Sequence, residues 1–154
     1  MLRFEPLDHA QMTAALSDAA PDIDQADLQA LIRAGKGSPG QAIDFMGLDL
    51  GKLDNAMHSI IQTGDPGNDL RIALAEQLSL KAAQQRYEAF LRLAPALVAE
   101  RARQMDAANV LGATEVWTAA SALANRAIAL SLDKQSVIFQ MGSLLASLQP
   151  HKAA

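Results

Sequence analysis

The chain has 154 residues, of which 50% are apolar, and a formal net charge of -4 at pH 7. This length and apolar content allow one ordinary domain, or two small ones, with a buried core. The acidic balance excludes the global basic field that supplies most nucleic-acid affinity, and the absence of cysteine excludes disulfides, thiolate metal sites and thiol nucleophiles.

Alanine and leucine dominate the composition, β-branched residues are sparse, and aromatic residues make up only 4% of the chain. A core made from such residues consists of aliphatic helix faces, so the composition predicts an all-α fold. No apolar run approaches the length of a membrane span, and the first residues lack the basic-then-apolar order of a signal peptide. Together with the missing cysteines, this favours a cytoplasmic protein.

Three short helices are predicted at the start of the chain. Asp8 has the position of an N-cap with Gln11 as its capping-box partner, which predicts a first helix over about residues 9 to 19. A second helix is predicted over about residues 25 to 34, with Gly35 closing it in the left-handed conformation. A third helix follows and ends near Gly47.

The third helix starts in a stretch rich in capping residues, Gly37-Ser38-Pro39-Gly40-Gln41. Ser38 is the predicted N-cap, Pro39 the first helical residue, and Gln41 the third, which completes a capping box. The stretch is therefore interpreted as a joint between two helices.

The glycines and the lysine of this joint do not form a phosphate-binding loop. A P-loop requires serine or threonine after Gly-Lys, but Gly37 follows Gly35-Lys36, and a helix is expected before the joint where the motif requires a strand. A nucleophile elbow is excluded as well, because Lys36 stands where that motif needs its first glycine.

Longer helices are predicted from residue 50 onward, where apolar residues recur at spacings of three and four. The periodic segments are 50–61, 70–78, 82–106, 113–131 and 134–148. Pro95 is expected to kink or split the third of these, because it lacks the N–H group that a helix interior needs. A break is expected at residues 109–112. We place the boundary between the two helical units between residues 48 and 49.

The stretch Gly37-Ser38-Pro39-Gly40-Gln41-Ala42-Ile43 resembles a motif of the AAA+ proteins that form DNA clamp loaders. In that family a three-helix lid follows the ATPase core, and the third lid helix starts with a pattern like G-S-x-R-x-A-[LI]. Gly40 stands here at the position of the arginine that reaches the nucleotide phosphates in ATP-hydrolysing members. The G-S-P-G form is similar to that of the delta-prime subunits of bacterial DNA polymerase III, which do not hydrolyse ATP.

The resemblance extends over the whole chain. Residues 1–48 resemble the lid with a short extended entry segment, and residues 49–154 resemble the helical collar domain. The resemblance implies a non-catalytic C-terminal fragment whose ATPase core lies upstream and whose collar binds the other clamp-loader subunits. DNA and the sliding clamp would be reached only through the complex. No catalytic residue, cofactor, metal ligand, membrane contact or small-molecule substrate is implied for this chain.

Six apolar residues of the last two helices are candidates for the interface or the core, namely Trp117, Leu123, Ile128, Val137, Met141 and Leu144. Trp117 and Tyr87 both lie on apolar faces, so we expect them in the core. An exposed tryptophan at position 117 would instead be a good interface anchor.

Two other functions stay open at this point. The corresponding region of an ATP-hydrolysing clamp-loader subunit would require arginine at position 40. A self-contained helical interaction module or ligand binder would require polar groups that converge on a pocket between helices. His9, His58 and His151 lack metal-binding spacing, so no metal site is expected.

Overall fold

The computed structural model describes residues 5–150, and within this range it contains helices and no strands. The eight α-helices of this range are α1 (His9–Ala19), α2 (Gln25–Gly35), α3 (Pro39–Asp44), α4 (Leu50–Thr63), α5 (Asp69–Leu78), α6 (Gln84–Arg103), α7 (Ala107–Ala129) and α8 (Lys134–Ala146). A single 3-10 turn, Lys81–Ala83, precedes α6. The all-α prediction is confirmed.

The chain divides into two compact units, one up to Asp54 and one from Asn55 onward. The N-terminal unit contains α1, α2, α3 and the start of α4, and the C-terminal unit contains the remaining helices. The division therefore falls inside α4, a few residues after the expected boundary. The assignment of the two units as lid and collar stays a prediction.

The N-terminal unit is built from three short helices that pack on one another. The Asp8 carboxylate accepts a hydrogen bond from the Gln11 backbone N–H at 2.8 Å, and Gln11 Oε1 accepts one from the Asp8 N–H at 3.0 Å. The predicted capping box is thus confirmed. Met12 and Leu16, one turn apart on α1, are buried and pack the helix against the core of the unit.

The end of α2 differs from the prediction. Gly35 is the last helical residue, and Lys36 and Gly37 take the left-handed conformation instead, with φ values of 49° and 84°. A Cβ added to Gly35 would lie only 2.9 Å from the Cβ of Ala42, so the close contact between α2 and α3 leaves no room for a side chain at this position. The expectation for Gly35 was wrong because this glycine serves a close helix contact, while the lysine takes the cap conformation.

The start of α4 is tied to α2 by two acidic side chains. The Asp27 carboxylate accepts a hydrogen bond from the backbone N–H of Gly51 at 2.7 Å. Arg33 Nη1 lies 2.6 Å from Asp54 Oδ1, and both side chains are largely buried. The first contact satisfies the backbone N–H of Gly51, which lies in the first turn of α4 and has no partner within the helix. The second pairs the charges of Arg33 and Asp54, which are buried where α2 and α4 pack together.

The C-terminal unit is organised around α6, which packs against α5, α7 and α8. Phe90 and Leu93 of α6 are fully buried, and Val137 and Met141 of α8 are 1% and 0% exposed. Tyr87 is also buried, which confirms its expected core position. Burial of large side chains such as Phe90 contributes about 1.5–3 kcal/mol each to the stability of this unit.

Two helices of this unit differ from the sequence prediction in their breaks. α6 is continuous from Gln84 to Arg103, so Pro95 does not split it. α7 begins at Ala107, so the expected break at 109–112 is wrong. The Asp106 carboxylate accepts hydrogen bonds from the backbone and the side-chain amide of Asn109, at 3.2 and 2.8 Å, and so makes Asn109 part of the first helical turn.

A buried ion pair fixes the loop between α4 and α5. Asp65 is 4% exposed, and its carboxylate accepts hydrogen bonds from the backbone N–H groups of Leu70 and Arg71 at 3.1 Å and from Arg71 Nε at 3.0 Å. Arg71 Nη1 in turn donates to Ser143 Oγ of α8 at 2.9 Å. Burial by itself raises the pKa of Asp65, but the hydrogen bonds and the Arg71 charge outweigh it and hold that pKa below its usual range. The loop is thereby fastened to both α5 and α8.

Replacing Asp65 with asparagine should lower the free energy of unfolding by about 2 kcal/mol at pH 7, because hydrogen bonds to a charged group are lost. The folded-state pKa is lowered, so this stabilisation is present above the unfolded pKa of about 3.9 and disappears as the pH falls through the folded value. Urea denaturation of both proteins from pH 7 down to pH 3 measures the difference.

Asp69→Asn is the matched control, because Asp69 lies in the first turn of α5 but is exposed. It should change the free energy of unfolding by less than about 1 kcal/mol. A stability difference between Asp65→Asn and the parent chain that stays constant down to pH 3 would contradict the role of the Asp65 carboxylate.

Candidate interaction surface

The motif Gly37-Ser38-Pro39-Gly40-Gln41 forms the joint between α2 and α3. Ser38 is the N-cap of α3, its Oγ accepts a hydrogen bond from the Gln41 backbone N–H at 3.4 Å, and Pro39 is the first helical residue. The Ser38 N–H donates to the Gly35 carbonyl at 2.9 Å. The predicted N-cap, N1 and N3 positions are confirmed. The capping box is formed only in its Ser38 half, because the Ser38 N–H bonds to Gly35 where a complete box would bond it to the Gln41 side chain.

Gly40 is exposed and has free space around it. A Cβ added to it would meet no atom outside the adjoining backbone closer than Ser38 Oγ at 4.0 Å, and its φ is not positive. Neither packing nor backbone conformation therefore requires glycine at this position. The fold leaves room for an arginine here, and the sequence does not supply one.

The six candidate interface or core residues separate into two groups. Leu123, Val137 and Met141 are buried, and Leu144 is half-buried. Trp117 and Ile128 are exposed, at 43% and 64% of their surface. The expectation that Trp117 lies in the core was therefore wrong, and the alternative of an exposed side chain holds.

The reason is the way in which α7 is packed. Its buried residues are mostly alanines, namely Ala113, Ala120, Leu123, Ala124 and Ala127. At about 100° per residue, Trp117 projects roughly 60° away from the direction of Ala120. The alanine side chains of α7 pack against α6 and α8, and the indole of Trp117 lies beside this helix–helix contact.

Val110, Thr114, Trp117, Ser121 and Ile128 share one side of α7, which we call the α7 outer face. Val110, Trp117 and Ile128 project within about 20° of one another at 100° per residue. Thr114 donates its hydroxyl to the Val110 carbonyl at 2.8 Å, so its polar group is already satisfied within the helix. Val110 was overlooked in the sequence because it falls in the segment interpreted as a break.

The α7 outer face carries no charged residue. α7 contains two charged residues, Glu115 and Arg126, which project about 140° and 160° away from Val110 at 100° per residue. Among the described residues, five of the eight exposed large apolar side chains lie on α7 or at its C-terminal cap: Val110, Leu111, Trp117, Ile128 and Leu130. Depletion of charge around exposed aromatic and aliphatic groups is typical of the centre of a protein–protein interface.

The described part of the chain offers no preformed metal centre. No group of three or more His, Asp or Glu side chains that could hold a metal ion occurs within residues 5–150. His9 Nε2 forms a hydrogen bond of 3.0 Å with Gln29 Oε1, while His151 lies outside the described residues. None of the helices in this range has the length and apolarity needed to span a membrane.

Comparisons with protein-family models, with curated proteins and with solved structures returned no match for this chain. The functional argument therefore depends on the residues and on their geometry.

Trp117→Ala should lower the free energy of unfolding by no more than about 2 kcal/mol, because 43% of the residue is already exposed and its removal leaves no enclosed cavity. Phe90→Ala, at a fully buried position of α6, should cost about 3–5 kcal/mol. Urea denaturation monitored by circular dichroism compares the two variants. Equal losses in both would show that Trp117 belongs to the core after all.

Proposed function

We propose that this chain is a non-catalytic assembly module of a DNA clamp loader, corresponding to the lid and collar of a delta-prime-type subunit of bacterial DNA polymerase III. The observation that carries the proposal is the α7 outer face, an exposed and uncharged apolar strip with Trp117 near its middle. The resemblance of Gly37-Ser38-Pro39-Gly40-Gln41 to the clamp-loader lid motif supports this particular assembly. In this proposal the chain acts in the cytoplasm and reaches DNA and the sliding clamp only through the complex.

The mechanism is the burial of the α7 outer face by a neighbouring subunit. Removal of apolar surface from water contributes about 25 cal/mol per Å², and an indole that fills a partner's pocket contributes more than its neighbours do. The Thr114 hydroxyl keeps its hydrogen bond to the Val110 carbonyl when it is covered, so burial leaves no new unsatisfied group at this position. Such a face holds subunits together while the chemistry takes place elsewhere.

The glycine at position 40 also agrees with a structural role. The third helix of the N-terminal unit has space for an arginine that would reach toward a phosphate, yet the residue is glycine. A lid of this kind does not sense the charge of a nucleotide. ATP hydrolysis is therefore assigned to other subunits of the complex.

Co-purification of the chain with the other clamp-loader subunits tests the proposal. Trp117→Glu places a charge in the middle of the α7 outer face and should weaken association at least tenfold, since anchor residues contribute about 2 kcal/mol or more. Binding is measured by surface plasmon resonance with the immobilised partner subunits.

Ala119→Glu is the matched control, because Ala119 is exposed on α7 and projects about 160° away from Trp117 at 100° per residue. It should bind within twofold of the parent chain. The proposal fails if the folded parent chain does not associate with any clamp-loader subunit, or if both glutamate variants weaken association equally.

A further inference from the structure

A surface pocket lies within the N-terminal unit. It is lined by the turn between α1 and α2, by α2 itself and by the segment that joins α3 to α4, and its volume is about 320 Å³. This volume is at the lower end of the range of about 300–1,000 Å³ that is usual for ligand sites. The pocket therefore suits a single side chain and not a large ligand.

Much of the lining of this pocket is apolar. Leu31 of α2 and Leu50 of α4 are buried, and Ile23, Phe45 and Met46 line the pocket with half-buried side chains. Large apolar side chains that are only half-buried gain stability when another apolar group covers them. The pocket can therefore hold an aliphatic chain.

The charged groups of the lining are all of one sign. Asp22, Asp27 and Asp49 line the pocket, and among the described residues no lysine, arginine or histidine does so. The half-buried Asp27 carboxylate accepts a hydrogen bond from the Gly51 N–H at 2.7 Å, whereas Asp22 and Asp49 are exposed. An occupant that meets the two exposed carboxylates has to bring a positive charge.

The charge of the whole chain is uneven in the same sense. Residues 1–54 contain nine acidic and four basic side chains, which is a formal charge of -5. Residues 55–154 contain eight acidic and nine basic side chains, which is a formal charge of +1. The negative field of the N-terminal unit therefore favours the approach of a cation to the pocket.

An arginine side chain of a polypeptide combines an aliphatic stem with a cationic end. The stem can cover apolar surface while the guanidinium donates hydrogen bonds to carboxylates. Free arginine would bring its own carboxylate toward three others, with no cation in the lining to pair with it. A polyamine would place several ammonium groups against apolar side chains, which is costly.

We propose that this pocket binds an arginine side chain of a partner polypeptide. The aliphatic stem covers Phe45 and Met46, and the guanidinium is held by Asp22 and Asp49. The inference goes beyond the proposed assembly function, because the pocket lies in the other unit from the α7 outer face and takes a charged group where that face takes apolar ones.

The probe for the pocket is N-acetyl-arginine methylamide, in which both ends of the amino acid are uncharged amides, as in a polypeptide. The isotope-labelled full chain is titrated with it and followed by heteronuclear NMR at about 0.15 M salt, where distant charges are largely screened. Saturable shifts are expected at the residues that line the pocket. The citrulline analogue has nearly the same shape without the charge and should bind about fivefold more weakly.

Asp22→Asn combined with Asp49→Asn should raise the Kd of the arginine probe about fivefold, because both exposed carboxylates of the pocket are lost. Asparagine keeps the size of these side chains and tolerates the left-handed φ of 54° at position 49. The matched control is Asp18→Asn combined with Asp44→Asn, at exposed positions of the same unit that do not line the pocket. It removes the same charge and should leave the Kd within about twofold of the parent value.

The inference is overturned if the arginine probe gives no saturable shifts, if the shifts lie outside the pocket, if the citrulline analogue binds equally well, or if the two double variants weaken binding alike. Tighter binding of spermidine than of the arginine probe would also overturn it, in favour of a polyamine site. No clamp-loader subunit takes part in the titration, so its outcome is independent of the co-purification that tests the assembly function.

Discussion

The buried side of α7 consists of four alanines and one leucine, Ala113, Ala120, Leu123, Ala124 and Ala127, and it packs against α6 and α8. Alanine projects a single methyl group, so neighbouring helix axes can approach closely, and a larger residue in its place would push them apart. The bulky residues of α7 are therefore confined to its other sides. The exposure of Trp117 and Ile128 follows from this close packing, and so does the apolar surface to which we assign the interaction.

Most of the fold could be predicted because the helix starts are marked by local chemistry. Asp8, Ser38 and Asp133 each accept a hydrogen bond from the N–H three residues on, and their helices begin as the sequence indicates. The start of α7 was missed although Asp106 carries the same signal, because Asn109 and Gly112 were interpreted as breakers. The Asp106 carboxylate bonds both the backbone and the side-chain amide of Asn109, and these bonds outweigh the low helix propensity of asparagine. Gly112 costs about 1 kcal/mol, which a helix of this length tolerates.

The candidate surface was harder to predict than the fold, for a reason that α7 makes clear. An apolar period identifies which residues share a side of a helix, but alanine and tryptophan count alike as apolar in such a pattern. Two adjacent apolar sides of α7 therefore look like one broad face in the sequence. Which of them is buried depends on the shape of α6 and α8.

The proline in α6 has a mechanical consequence. Pro95 lacks the N–H that would bond to the carbonyl of Leu91, so the hydrogen-bond ladder is interrupted near the middle of a helix of 20 residues. The neighbouring hydrogen bonds of the helix and the packing of its side chains resist bending at that point. Pro95 is buried among the other core residues of α6, so the helix has its lowest bending stiffness inside the unit and not at an end. A bend of α6 at Pro95 would therefore have to displace the side chains that pack around it.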